Sequence, residues 1–377
     1  MTPTDIIRLQ PKAWAILSRS FKADRIAGTY LFYGRDGLGH WALSIALAAL
    51  LNCAKPVRSD ETDGMLVPCG KCRHCRTVYS LGFEGLLFAA PLPPHKNNNE
   101  AIDLLTKILD VKREEPFRML SSTASTSIPI AAAREIGRKL ALKAPEGITR
   151  LVLFYRMDKM LFASADALLK LIEEPPGDTV IVLTTERPDT LLPTIQSRAQ
   201  KIRLERIPDN VIEQYLMEKH NISENRARLL TRLSGGSLGR ALSMIEFDQD
   251  EDSSRRAVGF LLFKSMFLET GSDIIAHMTD LVNLKDQGEV AELLRLWQSL
   301  IRDCARFAIV GDDDELTNID FASELKKLSA AFSNPKLAPD MVASIKNTLA
   351  DLRRNVHIPG ALTALALKLK SSIGAAS

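Results

Sequence analysis

The sequence predicts an α/β domain built on a parallel sheet, followed by a wholly helical region. Three observations carry that expectation. A short apolar run ends in a glycine loop and an apolar helix, "TYLFYGRDGLGHWALSIALAALL" from Thr29 to Leu51. Strand-like runs recur at "RLVLFY" (Arg150 to Tyr155), "TVIVLTTE" (Thr179 to Glu186) and "QKIRL" (Gln200 to Leu204), with helical patterns between them. Strands alternating with helices build a parallel sheet covered on both faces. From Ile207 onward the strand signal stops and the remaining patterns are helical.

Each element follows in order. The first strand stops at Gly34, Gly37 and Gly39 relax the loop, and Trp41 to Leu51 reads as a helix. Strand, glycine loop and helix open many nucleotide-binding units. A cysteine-rich module follows at about 53–80, then a polar insert at about 94–127 whose centre, Ala101 to Lys112, has helical spacing. "IPIAAAREIGRKLALK" (Ile128 to Lys143) is an amphipathic helix. "SADALLKLIEEPP" (Ser164 to Pro176) is a helix that stops before Pro175. "LLPTIQSRA" (Leu191 to Ala199) is a short helical segment. The first domain therefore spans 1–206. Two helical patterns, "PDNVIEQYLMEKH" and "SENRARLLTRLSGGSLGRALSMI", flank "NIS" and predict a small lid at 207–246. The polar linker "EFDQDEDSSRR" opens a third region, 247–377, helical apart from an acidic loop at "GDDDEL". A chain of 377 residues is long enough for two or three cores.

Composition narrows the function classes. Lys+Arg 49 against Asp+Glu 46 is too balanced to argue for nucleic acid from charge alone. The longest apolar stretch, Trp41 to Leu51, is too short to span a bilayer. "MTPTDIIRLQPKAW" has no basic-then-apolar signal pattern, so the expected location is cytoplasmic. Four of the five cysteines fall in one window, which in a reducing compartment reads as metal binding. Cys69, Cys72 and Cys75 are spaced for one tight turn, and Cys53 can supply a fourth thiolate to a closed structural zinc site. His74 reads as a surface residue and Cys304 as a core residue.

The loop is the informative departure. A phosphate-binding loop has the pattern G-x-x-x-x-G-K-[ST], in which the Lys reaches the outer phosphates and the hydroxyl holds Mg²⁺. Gly34 and Gly39 keep the spacing, but His40 and Trp41 stand in the last two positions. A His is shorter and mostly neutral at pH 7, and Trp41 has no oxygen for a metal. On the strand "LVLFYRMDKM", Tyr155 and Arg156 occupy the positions where an ATPase carries its Asp-Glu pair, and Asp158 lies past the strand end. With both halves of the magnesium site changed, the expectation is no productive ATP binding. Backbone N–H groups of such a loop can still attract an anion.

"LLKLIEEPPGDTVIVLTTERPDTLLPTIQSRAQKIRL" resembles the core of the bacterial clamp-loader AAA+ family, and the likeness extends weakly through "GGSLGRAL" and "LRRNVHIPGALTALAL". The four-Cys module is shared by that family's delta-prime and gamma/tau branches. The altered loop is similar to the delta-prime branch, because gamma/tau proteins keep the Lys, the Thr and the Asp-Glu pair. The resemblance implies a RecA-like AAA+ domain with a zinc module, a three-helix lid and a helical collar. It implies a stator without ATPase activity of its own, within DNA polymerase III, that joins gamma/tau and delta subunits in a five-membered ring. That ring places the sliding clamp on primer-template DNA.

Several residues take roles from the resemblance. Ser197-Arg198-Ala199 matches the family's Ser-Arg-Cys, which makes Arg198 an arginine finger for a neighbour's ATP site; otherwise it caps its helix or pairs with an acid. Thr184, Thr185 and Arg240 match sensor positions and are expected to be structural. Arg134 and Lys139 lie where family members face the ring interior, as phosphate contacts or as a solvated helix face. Glu173 and Glu174 sit against the negative end of a helix dipole, either presented to a basic side chain or simply solvated. The insert at about 94–127 departs from the family and has no assigned role. The alternatives are a divergent gamma/tau-like ATPase and a zinc-containing nucleic-acid adaptor on an ATPase-like scaffold.

Overall fold

The computed structural model describes residues 3–59, 64–120, 126–160, 171–246, 252–268, 287–311, 316–352 and 356–374. The chain forms two compact units: Met1–Ile222 with Ser234–Ser243, and Ser223–Leu233 with Met244–Ser377. Most of the predicted helix at Ser164–Pro176, residues 247–251 of the predicted linker and most of the acidic loop lie outside the described residues, while from Asp252 the predicted linker is the start of a helix.

The first unit starts with helices α1 (Pro3–Leu9) and α2 (Pro11–Lys22), then β1 (Thr29–Tyr33) and α3 (His40–Leu51). A hairpin of β2 (Val57–Ser59) and β3 (Met65–Val67) precedes α4 (Arg73–Tyr79) and β4 (Leu86–Ala89). Helices α5 (Asn98–Glu114) and α6 (Ile130–Ala141) lead to β5 (Arg150–Phe154) and β6 (Thr179–Thr185). Helix α7 (Pro193–Arg198), β7 (Gln200–Arg203) and α8 (Asp209–His220) follow. The five-stranded sheet has the order β4-β5-β6-β1-β7, and every pair is parallel.

Burial explains why these segments are strands. All five residues of β5 and all seven of β6 are buried, as expected of apolar runs covered on both faces. Pairing of Tyr33 with Thr185 and of Phe154 with Leu183 brings the carboxyl ends of β1, β5 and β6 to one edge. The glycine loop leaves from that edge. Helix α3 is apolar around most of its circumference and is buried from His40 to Leu50, the pattern of a helix with no solvent face. At the α1–α2 junction, the Gln10 amide donates to Leu38 O and Glu205 O and accepts from Glu205 N, which ties the N-terminal helices to the loop and to the end of β7.

The structure corrects the sequence expectation in three places. Strand β4 and the β2–β3 hairpin were absent from it, because runs of three or four residues are too short to display a period. The second lid pattern is two helices, α9 (Glu224–Ser234) and α10 (Leu238–Glu246), since Gly235 (φ +60°) and Gly236 (φ +83°) adopt left-handed backbone. The N-terminal helices α1 and α2 were also unassigned.

The second unit contains α11 (Asp252–Leu268), α12 (Gln287–Val310), α13 (Ala322–Leu328), α14 (Leu337–Leu352) and α15 (Ile358–Gly374). They share one apolar core with Phe263, Trp297 and Ile345 among its buried members. Trp297 Nε1 donates to Gly259 O at 2.9 Å, joining α12 to α11. The Asp303 carboxylate accepts from Thr317 N, Asn318 N and Asn318 Nδ2, joining α12 to the segment that leads into α13. Among the described residues, no helix is long and apolar enough to cross a membrane.

Candidate functional site

The loop between β1 and α3 turns through Gly37 (φ +76°) and Gly39 (φ +100°), conformations that a side chain would strain. Between Gly34 and Gly37 sits Asp36, which is buried. Its Oδ1 accepts from Gly37 N at 2.9 Å and from the Tyr155 hydroxyl at 3.0 Å. Its Oδ2 pairs with Arg156 Nη1 at 3.0 Å. The loop therefore closes on a carboxylate of its own. Burial works against that charge, but Arg156 and then Lys112 overcome it and hold the Asp36 carboxyl below its usual range.

Arg156 follows β5 in left-handed backbone (φ +61°), and its N–H donates to Thr184 Oγ1 at 2.8 Å. Its guanidinium also reaches Glu186 at 3.4 Å and Asp158 at 3.8 Å. Asp158 lies past the strand end, as its sequence position implies, yet it belongs to this charge cluster. The backbone reversal at Arg156 folds it back, where it accepts from Thr185 Oγ1 at 3.3 Å. Glu186 Oε1 accepts from Asp36 N, so a second loop N–H is also committed.

His40 and Trp41 are both buried. Burial disfavours the imidazolium and lowers the His40 pKa to about 4, so the ring is neutral at pH 7. Trp41 stacks on Phe88 (5.1 Å between centroids, 10° between planes) and meets Tyr155 edge-on at 5.6 Å. Among the described residues, His40 Nε2 and Trp41 Nε1 have no hydrogen-bond partner. Lys112, from α5 of the polar insert, is only 2% exposed. Its ammonium lies 4.9 Å from the Tyr155 ring centroid and 5.7 Å from that of Trp41, and donates to Arg118 O at 2.6 Å and Pro116 O at 3.4 Å. Burial pushes its pKa down to about 8, with Asp36 opposing. Phe117 lies directly on Gly39, where any added Cβ would collide with its ring.

Sequence reasoning missed Asp36, Glu186, Lys112 and Phe117. Asp36 stood in view inside the loop, but its partners are remote in the chain. Lys112 and Phe117 come from the insert, and no local spacing connects them to the loop.

The four cysteines come together around the carboxyl end of α3 and the amino end of α4. Cys53, Cys69, Cys72 and Cys75 place their sulfurs within 4.8 Å of one another. A tetrahedral zinc–thiolate site has Zn–S bonds of about 2.3 Å, hence sulfur–sulfur edges of about 3.8 Å. Cys69 Sγ and Cys75 Sγ are 3.9 Å apart. Backbone N–H groups of Cys69, Cys72 and Cys75 point at the sulfurs of Cys53, Cys69 and Cys72, which favours thiolates. The donor set fits a metal such as zinc. His74 instead pairs Nδ1 with Asn52 O at 2.9 Å, and Cys304 is buried in the second unit.

Arg198 ends α7 and is half-exposed, with Nη2 3.3 Å from Glu173 Oε1. Glu173 thus has a basic partner within its own chain. Thr184 and Thr185 are held by the Arg156 N–H and by Asp158 and the Arg187 N–H. Arg240 begins α10 with its N–H on Ser237 Oγ. Arg134 and Lys139 are exposed on α6, away from its buried Ala133, Ile136 and Leu140.

A model of the family described as DNA polymerase III, delta subunit, matches residues 9–208. DNA polymerase III subunit delta' of Bacillus subtilis (strain 168) is 25% identical over 363 residues, which cover 96% of this chain and 96% of that protein. DNA polymerase III subunit delta' of Escherichia coli (strain K12) is 27% identical over 232 residues, 62% of this chain and 58% of that protein. DNA polymerase III subunit tau of Salmonella typhimurium (strain LT2) is 27% identical over 351 residues, 92% of this chain and 46% of that protein.

The buried imidazole makes stability depend on pH with a definite sign. The His40 pKa is about 4 in the fold against 6.5 ordinarily. Between those values the unfolded chain binds a proton that the folded chain refuses, so stability falls as pH drops from about 6.5 to about 4. Thermal melts at pH 7, 5.5 and 4.5 will show a smaller loss for His40→Gln than for the parent. An equal loss in both would remove His40 as the source.

Proposed function

The chain belongs to the family described as DNA polymerase III, delta subunit, and on that premise we propose that it is the delta-prime-type, non-hydrolysing subunit of the clamp loader. The observation that carries this reading is the glycine loop closed on Asp36. The loop keeps the turn of a phosphate-binding site, yet its N–H groups at Asp36 and Gly37 already serve carboxylates. No side chain at position 40 or 41 supplies an ammonium or a hydroxyl. Such a subunit contributes shape and a contact to its neighbours rather than hydrolysis.

In this proposal residues 1–206 form the AAA+ RecA-like domain, 207–246 the lid and 247–377 the collar. The collar joins gamma/tau and delta subunits in a pentameric ring that loads the sliding clamp on primer-template DNA in the cytoplasm. Arg198 is the arginine finger. Its pair with Glu173 joins two half-exposed side chains, and such pairs contribute only about 0–1 kcal/mol. The guanidinium can therefore exchange that carboxylate for phosphate oxygens of a neighbour's ATP, with charge-assisted hydrogen bonds. Arg134 and Lys139 contact the DNA backbone, a sequence-independent and salt-sensitive interaction. The Cys53, Cys69, Cys72 and Cys75 site holds a structural zinc ion.

Reconstitution with gamma/tau and delta subunits tests the assembly: the expected product is one complex containing all three subunit types, and its absence overturns the proposal. Within that complex, Arg198→Ala should leave assembly intact and lower clamp-dependent ATP hydrolysis strongly; trans-acting fingers elsewhere contribute roughly 10³–10⁵-fold. Hydrolysis at the parent rate would exclude Arg198. Metal analysis of the purified chain should find about one zinc ion, lost from Cys72→Ser along with part of the thermal stability.

A further inference from the structure

The polar insert is the least explained part of the sequence, and it supplies the parts that complete the loop. Helix α5 runs from Asn98 to Glu114, with Asn97 capping it through Oδ1 on Glu100 N at 2.9 Å. Although the helix is largely exposed, Lys112 near its end is buried. Beyond the helix, Pro116 and Arg118 turn their carbonyls back onto that ammonium, and the chain places Phe117 in the loop.

We propose that residues 98–119 act as an internal plug of the glycine loop, Lys112 taking the place of the missing loop lysine and Phe117 filling space against Gly39 that a nucleotide would need. The electrostatic half of this rests on Lys112, which faces the Tyr155 and Trp41 rings and adds to Arg156 in balancing Asp36. The steric half rests on Phe117. Its ring covers Gly39, the last loop glycine and N-cap of α3, and its carbonyl packs on Gly239 beside Gly37. A phosphate approaching the amino end of α3 would meet that ring. Glu115, two residues before Phe117, fastens the plug from the other side: it accepts from the Tyr215 hydroxyl at 3.3 Å and lies 3.3 Å from His220 Nε2 on α8. Closure is therefore built from the insert as well as from the altered loop residues. The inference rests on the reading that the loop holds no nucleotide, and it is independent of ring assembly.

Hydrogen exchange followed by mass spectrometry on the isolated full chain tests the plug. In Phe117→Ala, amides of residues 36–43 should exchange about tenfold faster or more, while β5 and β6 amides keep the parent's protection. Lys112→Met, which matches the side chain as far as Cε and removes the ammonium, should open the same segment, and it decides the question if Phe117→Ala fails to fold. Parent-like exchange of residues 36–43 in Lys112→Met and in any folded Phe117→Ala overturns the plug. A titration of the parent chain with a fluorescent ATP analogue separates this from the underlying reading: binding there would overturn the closed loop itself, whereas unchanged exchange without binding overturns only the role of the insert.

Discussion

The ion pair between Asp36 and Arg156 is the constraint around which the first unit is organised. A carboxylate taken out of water is tolerated only with a paired cation and hydrogen bonds. Here the cations come from two distant places, Arg156 at the end of β5 and Lys112 on the insert. The hydrogen bonds come from Gly37 and Tyr155. Breaking a buried pair by removing one partner costs about 3–5 kcal/mol, because the survivor is left uncompensated. The register of β1, β5 and β6 matters for this reason: it brings the loop, Arg156 and Glu186 to one edge of the sheet.

Helix α3 transmits that constraint through the unit. Its twelve residues span about 18 Å, and each end is fixed by different chemistry. At the amino end lie the loop and the charge cluster. At the carboxyl end, Asn52 bonds to Ala48 O and to both backbone groups of Thr149, and Cys53 begins the thiolate cluster. A metal there would stiffen the same helix whose other end carries His40 and Trp41.

Much of this was legible in the sequence, for reasons that also mark where legibility stopped. Buried parallel strands are apolar runs, so β1, β5 and β6 stood out, whereas the edge strand β7, with only Ile202 buried, was legible from its place after the short helix. The cysteine spacing and the altered loop announced themselves because both are short-range patterns. Strand β4 is only four residues long, and the paired glycines at 235 and 236 were passed over inside an otherwise helical period. The partners of Asp36 could not be read, since charge pairing across the sheet edge leaves no period in the chain. That Asp158, past the end of β5, joins the cluster was equally hidden, because it depends on the left-handed turn at Arg156. Lys112 and Phe117 were hidden for a further reason: a polar, Asn- and Ser-rich stretch gave no sign of containing two fully buried side chains.

The charge arrangement also bears on how the loop could change over generations. A lysine at position 40 would bring a third cation beside Arg156 and the Lys112 ammonium, in a region whose low polarity already drives Lys112 toward neutrality. A smaller residue at position 41 would empty the space between Phe88 and Tyr155 and cost stability as a cavity. Each change is unfavourable while the others are absent, because the groups concerned sit on α3, at the end of β5 and on the insert. On the proposed reading that the loop binds no nucleotide, gaining one would require several simultaneous substitutions. The packing then works as a ratchet, in which each filled space makes the next opening less accessible.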